Sequence, residues 1–270
     1  MAKHTVIHLS DLHIGLRREE SKRTKMIMNK IAESFPEAPI LITGDLTDSA
    51  TKRQLRETRN LLDEFAQTNP ILAVPGNHDY AWKGNILRPD GWENWVEYLG
   101  SPLGWGKNQV PWMGIEHEPE GVDGLGVWQD GPCVYFGIDS GDPQDKQISA
   151  RGYISKKLAK ALKESLEKYA GKTRIVVLHH HPFTEGVFSR LFTGLYGSKR
   201  LLAALDGNCE LLLFGHEHEY GIWWEKRGVP LTVSSHKSTD TFGDCLTTTI
   251  IDVEDPATPN VSFRHRLEMI

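Results

Sequence analysis

The sequence predicts an α/β fold with helices packed outside stacked β-sheets. Three observations predict it. Short apolar, β-branched runs stop abruptly at polar clusters, helix-like segments separate them in the front of the chain, and the back reads almost entirely as strand. The runs are TVIHLS (5–10), APILIT (38–43), PILAVP (70–75), CVYFGI (133–138), RIVVLH (174–179) and LLLFGH (211–216). Each has the length of a typical strand. Their continuous apolar character suits strands covered on both faces.

The remaining elements follow in order. Segments 20–34 and 51–67 read as helices between the first three runs. Segment 155–169 is the clearest helix: Leu158, Leu162, Leu166 and Tyr169 recur at helical spacing, Ser155 can cap its start, and Gly171 follows its end. A shorter helix is expected at 198–205. Segments 221–235, 246–253 and 261–267 read as strands joined by turns. Because strand side chains alternate, only one of Trp223 and Trp224 should face inward. Region 80–132 carries Trp82, Trp92, Trp95, Trp105, Trp112 and Trp128 among many glycines and prolines. It reads as an ordered cap or loop insertion over a site, where packing, subunit contact or base stacking could use the rings. Nothing marks a linker, so residues 1–270 are expected to form one domain.

Composition narrows the function. Hydrophobic residues at 39% and charged residues at 25% are ordinary for a globular protein. A formal net charge of -5 argues against a nucleic-acid partner and leaves bound metal ions as the source of positive charge for an anionic substrate. The start of the chain lacks the apolar stretch of a signal peptide, and no run reaches the length of a membrane span. Cys133, Cys209 and Cys245 are scattered, which fits reduced thiols without a disulfide framework. A cytoplasmic protein with no membrane partner is expected, and a homo-oligomer is compatible with the sequence.

The chemistry sits where the apolar runs end. The first leads to Asp11 and His13, the second to Asp45 and Asp48, the third to Asn77, His78 and Asp79. The fifth leads to His179, His180 and His181, and the sixth to His216 and His218. Ligands of open α/β sheets bind outside the carboxyl ends of the strands, so neighbouring, parallel strands would bring these clusters to one rim. On an extended chain Asp11 and His13 would face the same side, as would His216 and His218. Carboxylate, imidazole and amide donors together suit Mn, Fe or Zn rather than Ca or an all-thiolate site.

These blocks resemble the calcineurin-like metallophosphoesterases. The family pattern of Asp-x-His, Gly-Asp, Gly-Asn-His-Asp/Glu, His and Gly-His-x-His runs in order from residue 11 to residue 218. The LHHHP and GHEHE blocks look closest to the bacterial cyclic-nucleotide phosphodiesterase and glycerophosphodiesterase branch, of class III phosphodiesterase type. The resemblance implies a four-layer αββα sandwich of two mixed sheets. It implies two divalent metal ions, one held by Asp11, His13 and His218, the other by Asn77, His179 and His216, with Asp45 bridging. His180 is the alternative to His179, and His181 is assigned to packing or to the support of a ligand from behind. The catalytic histidine would be His78, with Asp48 as the acidic partner that fixes its tautomer. Asp79 is a second candidate for that partner or a turn-stabilising residue.

The resemblance further implies hydrolysis of a small phosphate ester by attack of a metal-bound hydroxide. Asp48 is followed by Ser49 and Ala50, a departure from the Gly-Asp-x-x-Asp-Arg-Gly block of protein phosphatases, which favours a phosphodiester. A phosphomonoesterase and a non-catalytic binding scaffold are the alternatives. His236 and Lys237 could reach the substrate phosphate, or be ordinary loop residues, as Arg17 and Arg18 are expected to be.

Overall fold

The computed structural model describes residues 3–80, 90–100, 122, 124–141, 150–183, 192–242, 245–254 and 262–269. Its strands are β1 (Lys3–Leu9), β2 (Ile40–Thr43), β3 (Ile71–Val74), β4 (Leu125–Asp130), β5 (Cys133–Ile138), β6 (Gly152–Tyr153), β7 (Thr173–Val177), β8 (Leu195–Tyr196), β9 (Leu211–Phe214), β10 (Gly221–Lys226), β11 (Val229–Ser234), β12 (Thr241–Phe242), β13 (Cys245–Glu254) and β14 (Ser262–Met269). Its helices are α1 (Arg18–Ser34), α2 (Lys52–Phe65), α3 (Gly91–Leu99), α4 (Lys156–Lys168) and α5 (Ser198–Leu205).

Two mixed sheets carry the fold. One runs β12-β13-β1-β2-β3, with β14 also paired to β13, and the other runs β10-β11-β9-β7-β5-β4. β1, β2 and β3 are parallel neighbours, and β5, β7 and β9 are parallel neighbours in the second sheet. Side-chain alternation shows how the second sheet is covered. Ile175, Val177, Leu211 and Leu213 join the core shared with the first sheet, while Val176, Leu178, Leu212 and Phe214 pack with Leu158, Leu162 and Leu201 of α4 and α5. Helices α1 and α2 cover the first sheet through Ile27, Ile31, Leu55 and Leu62. The result is helix, sheet, sheet, helix, as the resemblance implies.

Local chemistry explains the helix starts that matter here. Ser155 accepts the Leu158 N–H at 2.9 Å and opens α4, whose Leu158, Leu162 and Leu166 are buried, each worth about 1.5–3 kcal/mol. Thr51 and Gln54 form a capping box at the start of α2. The Gln54 amide also accepts the Ser49 N–H and donates to the Gly15 carbonyl, so this cap ties the loop carrying Asp48 to the loop after His13.

The Trp-rich stretch is divided. Trp95 of α3 is fully buried, and Trp128 of β4 stacks on Tyr135 inside the shared core. Trp92 is partly exposed against Tyr80, while Trp82, Trp105 and Trp112 lie outside the described residues. On β10, Trp223 packs against the core and Trp224 is 54% exposed, following the alternation. Among the described residues no helix is long and apolar enough to cross a membrane.

Candidate metal centre

The carboxyl ends of β1, β2 and β3 meet those of β7 and β9 across the gap between the sheets. Main-chain pairing continues past the ends of β1 and β2: the N–H groups of Asp11, His13 and Ile14 donate to the carbonyls of Gly44, Asp45 and Leu46 at 3.0, 2.9 and 2.8 Å. Two glycines allow the sheets to close. A Cβ on Gly44, whose φ is +89°, would lie 2.5 Å from His179 Nδ1. One on Gly215 would overlap the Ser10 hydroxyl. His179 Nδ1 then donates to the Thr43 carbonyl at 2.7 Å, and the His216 N–H to Asp11 Oδ2 at 3.2 Å.

The backbone at these positions is not extended. Asp11, His13, Asp45, His216 and His218 have φ of 54°, 47°, 50°, 79° and 54°. This corrects the expectation that Asp11 and His13, or His216 and His218, share a side through strand alternation. Left-handed turns aim them instead, a conformation that non-glycine residues adopt at a cost and that concentrates at functional sites. The residue types carry a weak signal of it, since Asp and His enter this region more often than other non-glycine residues.

The side chains form two overlapping groups. Asp11, His13 and His218 make one: His218 Nε2 is 3.2 Å from Asp11 Oδ1 and 3.4 Å from His13 Nε2. Asp45 and His179 stand in the other, His179 Nε2 lying 3.5 Å from Asp45 Oδ1, 3.1 Å from Asn77 Oδ1 and 3.1 Å from His216 Nδ1. Asp45 Oδ2 is 3.9 Å from His13 Nε2, so this one carboxylate touches both groups. His180 also belongs with His179 and His216.

Hydrogen bonding decides what the second group can hold. The Thr43 carbonyl only accepts, so His179 Nδ1 donates to it, and in the neutral ring Nε2 is the lone pair. His216 Nε2 lies 3.0 Å from the Thr193 carbonyl, so its Nδ1 is likewise a lone pair. Two imidazole lone pairs, an amide oxygen and a carboxylate are thus turned on one another. Acceptors arranged this way suit a cation among them, and the donor set fits a divalent metal of the Mn, Fe or Zn kind. The outward nitrogen of each ring donating to a carbonyl is the usual support of a metal-binding histidine.

Electrostatics point the same way. Burial pushes the His216 pKa down to about 3 and that of His13 to about 4, the latter against the pull of Asp45 and Asp11. Burial opposes ionisation of Asp11 and Asp45. For Asp11 the His218 hydrogen bond and the neighbouring imidazoles prevail, for Asp45 those of His179, His78 and His13, and both pKa values fall below the ordinary range. His13 and His216 are thus held in the neutral form that binds metal, whereas the hydrogen bond to Asp11 raises the pKa of His218, which has to give up its proton to a metal.

The other expected residues fall into place around this cavity. His78 donates its N–H to Asp45 Oδ1 at 2.9 Å, and its ring meets that of His13 edge-on at 4.7 Å. Its Nδ1 is held at 2.7 Å by the main-chain carbonyl of Asp48, whereas the Asp48 carboxylate stands 3.9 Å away and accepts from Ser49. The orienting acceptor is therefore the backbone of Asp48. Asp79 accepts from the N–H groups of Leu46, Thr47 and Gly76 and from the Thr47 hydroxyl, which clamps the loops after β2 and β3 together. His181 packs on Phe214 and Trp223. His236, for which phosphate contact or an ordinary loop place was expected, is buried, with Nε2 at 2.6 Å from the Thr247 hydroxyl. Lys237 sits 3.7 Å from both Glu20 and Asp240, and Arg17 and Arg18 are exposed. Sequence reasoning missed the supporting carbonyls of Thr43 and Thr193, which leave no trace in residue type.

Comparison with known proteins agrees with this geometry. A model of the calcineurin-like phosphoesterase family matches residues 4–220. The chain is 26% identical over 204 residues to a probable glycerophosphodiester phosphodiesterase of Arcobacter nitrofigilis, a match spanning 73% of this chain and 62% of that protein. It is 21% identical over 220 residues to a probable cyclic nucleotide phosphodiesterase of Coxiella burnetii, spanning 79% and 75% respectively. In fold it is similar to a dimetal phosphatase from Danio rerio, with a TM-score of 0.65 at 11% identity over 99% of this chain and 98% of that one. The matched stretch contains every grouped ligand from Asp11 to His218. With the sheets, the cavity and the ordered motifs in agreement, the chain belongs to the calcineurin-like phosphoesterase family.

Proposed function

We propose that this protein hydrolyses a small phosphodiester with two divalent cations, one at Asp11, His13 and His218, the other at Asn77, His179 and His216, with Asp45 between them. The observation that carries this reading is the set of acceptors turned on one another at His179, His216, Asn77 and Asp45. Relatives named for glycerophosphodiester and cyclic nucleotide hydrolysis support a diester over a monoester.

Bound there, two cations supply the positive charge that neutralises a phosphate and lowers the pKa of an attacking water. The chain's own residues do the rest. Asp45 fixes the His78 backbone through its N–H, so the catalytic ring is built directly on the bridging carboxylate. With Nδ1 on the Asp48 carbonyl, His78 has Nε2 as its exchanging nitrogen, from which it gives a proton to the leaving oxygen. Thr43 and Thr193 hold the two imidazoles of the second group in one tautomer each.

The test is turnover by metal-stripped protein, with Mn restored, on bis(p-nitrophenyl) phosphate and p-nitrophenyl phosphate side by side. Diester turnover well above monoester turnover is expected. Faster monoester turnover would replace the reading with a phosphomonoesterase, and no turnover of either with two cations bound would favour a binding scaffold.

A further inference from the structure

The strands β6 and β8 form a two-stranded parallel ribbon apart from the main sheets, pairing Gly152 with Leu195 and Tyr153 with Tyr196. The ribbon is joined to the cavity at two points. One is the Thr193 carbonyl, two residues before Leu195, which accepts from His216 Nε2 at 3.0 Å. The other is His180. This ring is fully buried, its Nδ1 is 2.8 Å from the Ser140 hydroxyl, and its centroid is 4.7 Å from that of His216. It lies directly against the ribbon backbone: a Cβ on Gly152 would come within 2.5 Å of His180 Cγ and 2.7 Å of Leu195 Cδ1. Only glycine at 152 lets the ring occupy this place. Ser140 also accepts the Tyr153 N–H on its carbonyl at 2.9 Å, so one residue bonds both the ribbon and the ring.

We infer that His180 is a positioning residue: it sets the height of the β6–β8 ribbon so that the Thr193 carbonyl fixes the His216 tautomer and aims Nδ1 at the second cation position. The inference rests on the two-cation reading. Its chemistry is that of an outer support. The ribbon carbonyl decides which nitrogen of His216 carries the proton, and His180 decides where that carbonyl stands. Loss of such a support weakens metal binding by about 10–100-fold without removing a ligand.

The experiment is calorimetric titration of metal-free protein with Mn²⁺, repeated with Co²⁺ so that the visible spectrum reports each equivalent separately. Wild type, His180→Phe and Ser140→Ala are compared. Ser140→Ala removes one hydroxyl, which meets the ring at Nδ1 and accepts the His180 main-chain N–H, and keeps the ring itself, so it remains informative where the larger replacement disturbs folding. The expected result is an unchanged first equivalent, with the second weakened about 10–100-fold in His180→Phe and by a smaller factor in Ser140→Ala. The cobalt spectrum should change in the second equivalent alone. Variants that bind both equivalents as wild type does would overturn the inference. Complete loss of the second cation in His180→Phe would overturn it too, making His180 a ligand. Wild type binding fewer than two cations would defeat the two-cation reading itself, and the inference with it.

Discussion

Asp45 and His78 are bonded to each other yet should fail in different ways. Asp45 lies 3.5 Å from His179 Nε2 through one oxygen and 3.9 Å from His13 Nε2 through the other. Asp45→Ala is therefore expected to leave neither cation position intact, so metal analysis of the purified variant should show well below the wild-type content. Retention of two cations would remove Asp45 from its bridging place. His78 touches the cavity from its edge and is held by Asp45 and the Asp48 carbonyl. His78→Ala should retain the cations and lose about 10²–10⁴-fold in turnover, the usual worth of one positioned acid or base. Undiminished turnover would exclude His78 from proton transfer.

Elements are held in register by charges far from the cavity. Asp252 of β13 meets Lys3 of β1 at 3.0 Å, the Thr5 hydroxyl at 2.8 Å and Arg266 of β14 at 2.7 Å, joining three strands of one sheet. Burial raises its pKa, but the bonds from Lys3, Thr5 and Arg266 together lower it below the ordinary carboxylate value. A carboxyl depressed by folding contributes stability that is complete above its unfolded pKa of about 3.9 and is lost as pH falls through the folded value. Asp252→Asn should cost about 1 kcal/mol at pH 7, a modest figure because Lys3 and Arg266 are partly exposed. The gap between wild type and variant should narrow below about pH 4, which urea melts at neutral and acid pH would measure. Most elements could be read from the sequence because each long helix is amphipathic and each central strand is continuously apolar. α4 differs from its expected range by one residue at each end. The two-residue strands β6 and β8 could not be read, since two residues are too few to show a periodicity. The places of Trp95 and Trp128 could not be read for a related reason: aromatic density looks the same in a cap and in a core.

For the whole molecule, the candidate ligand positions were legible as ordered motifs and their meeting at one rim was expected, but a rim shared between two sheets could not be read from the strands themselves. Strands buried on both faces look alike in either sheet, so nothing in β7 or β9 says that their ends should face β1, β2 and β3 across a gap rather than lie beside them. That juxtaposition has a thermodynamic consequence. The cavity belongs only to the folded chain, so each cation that binds it stabilises the fold by mass action, by about 2.7 kcal/mol at one hundred times its dissociation constant. Thermal melts with and without Mn²⁺ should differ by about 5–10 °C for each cation bound at that concentration, for a chain of this size. A chelator should reverse the shift, and Asp45→Ala should abolish it. A melting temperature indifferent to added cations would contradict binding at this cavity.

The left-handed turns at Asp11, His13, Asp45, His216 and His218 bear on whether this site could be transplanted. A side-chain graft onto the strand ends of another protein would copy the ligands and omit the curvature that aims them. Asp and His enter the left-handed region more readily than most side chains, but the strand ends of an ordinary recipient do not supply the turn. Such a chimera would fold with its copied ligands aimed apart and would not gather them on one metal ion. A successful transfer has to carry the paired loops after β1 and β2, with their main-chain bonds, as one unit.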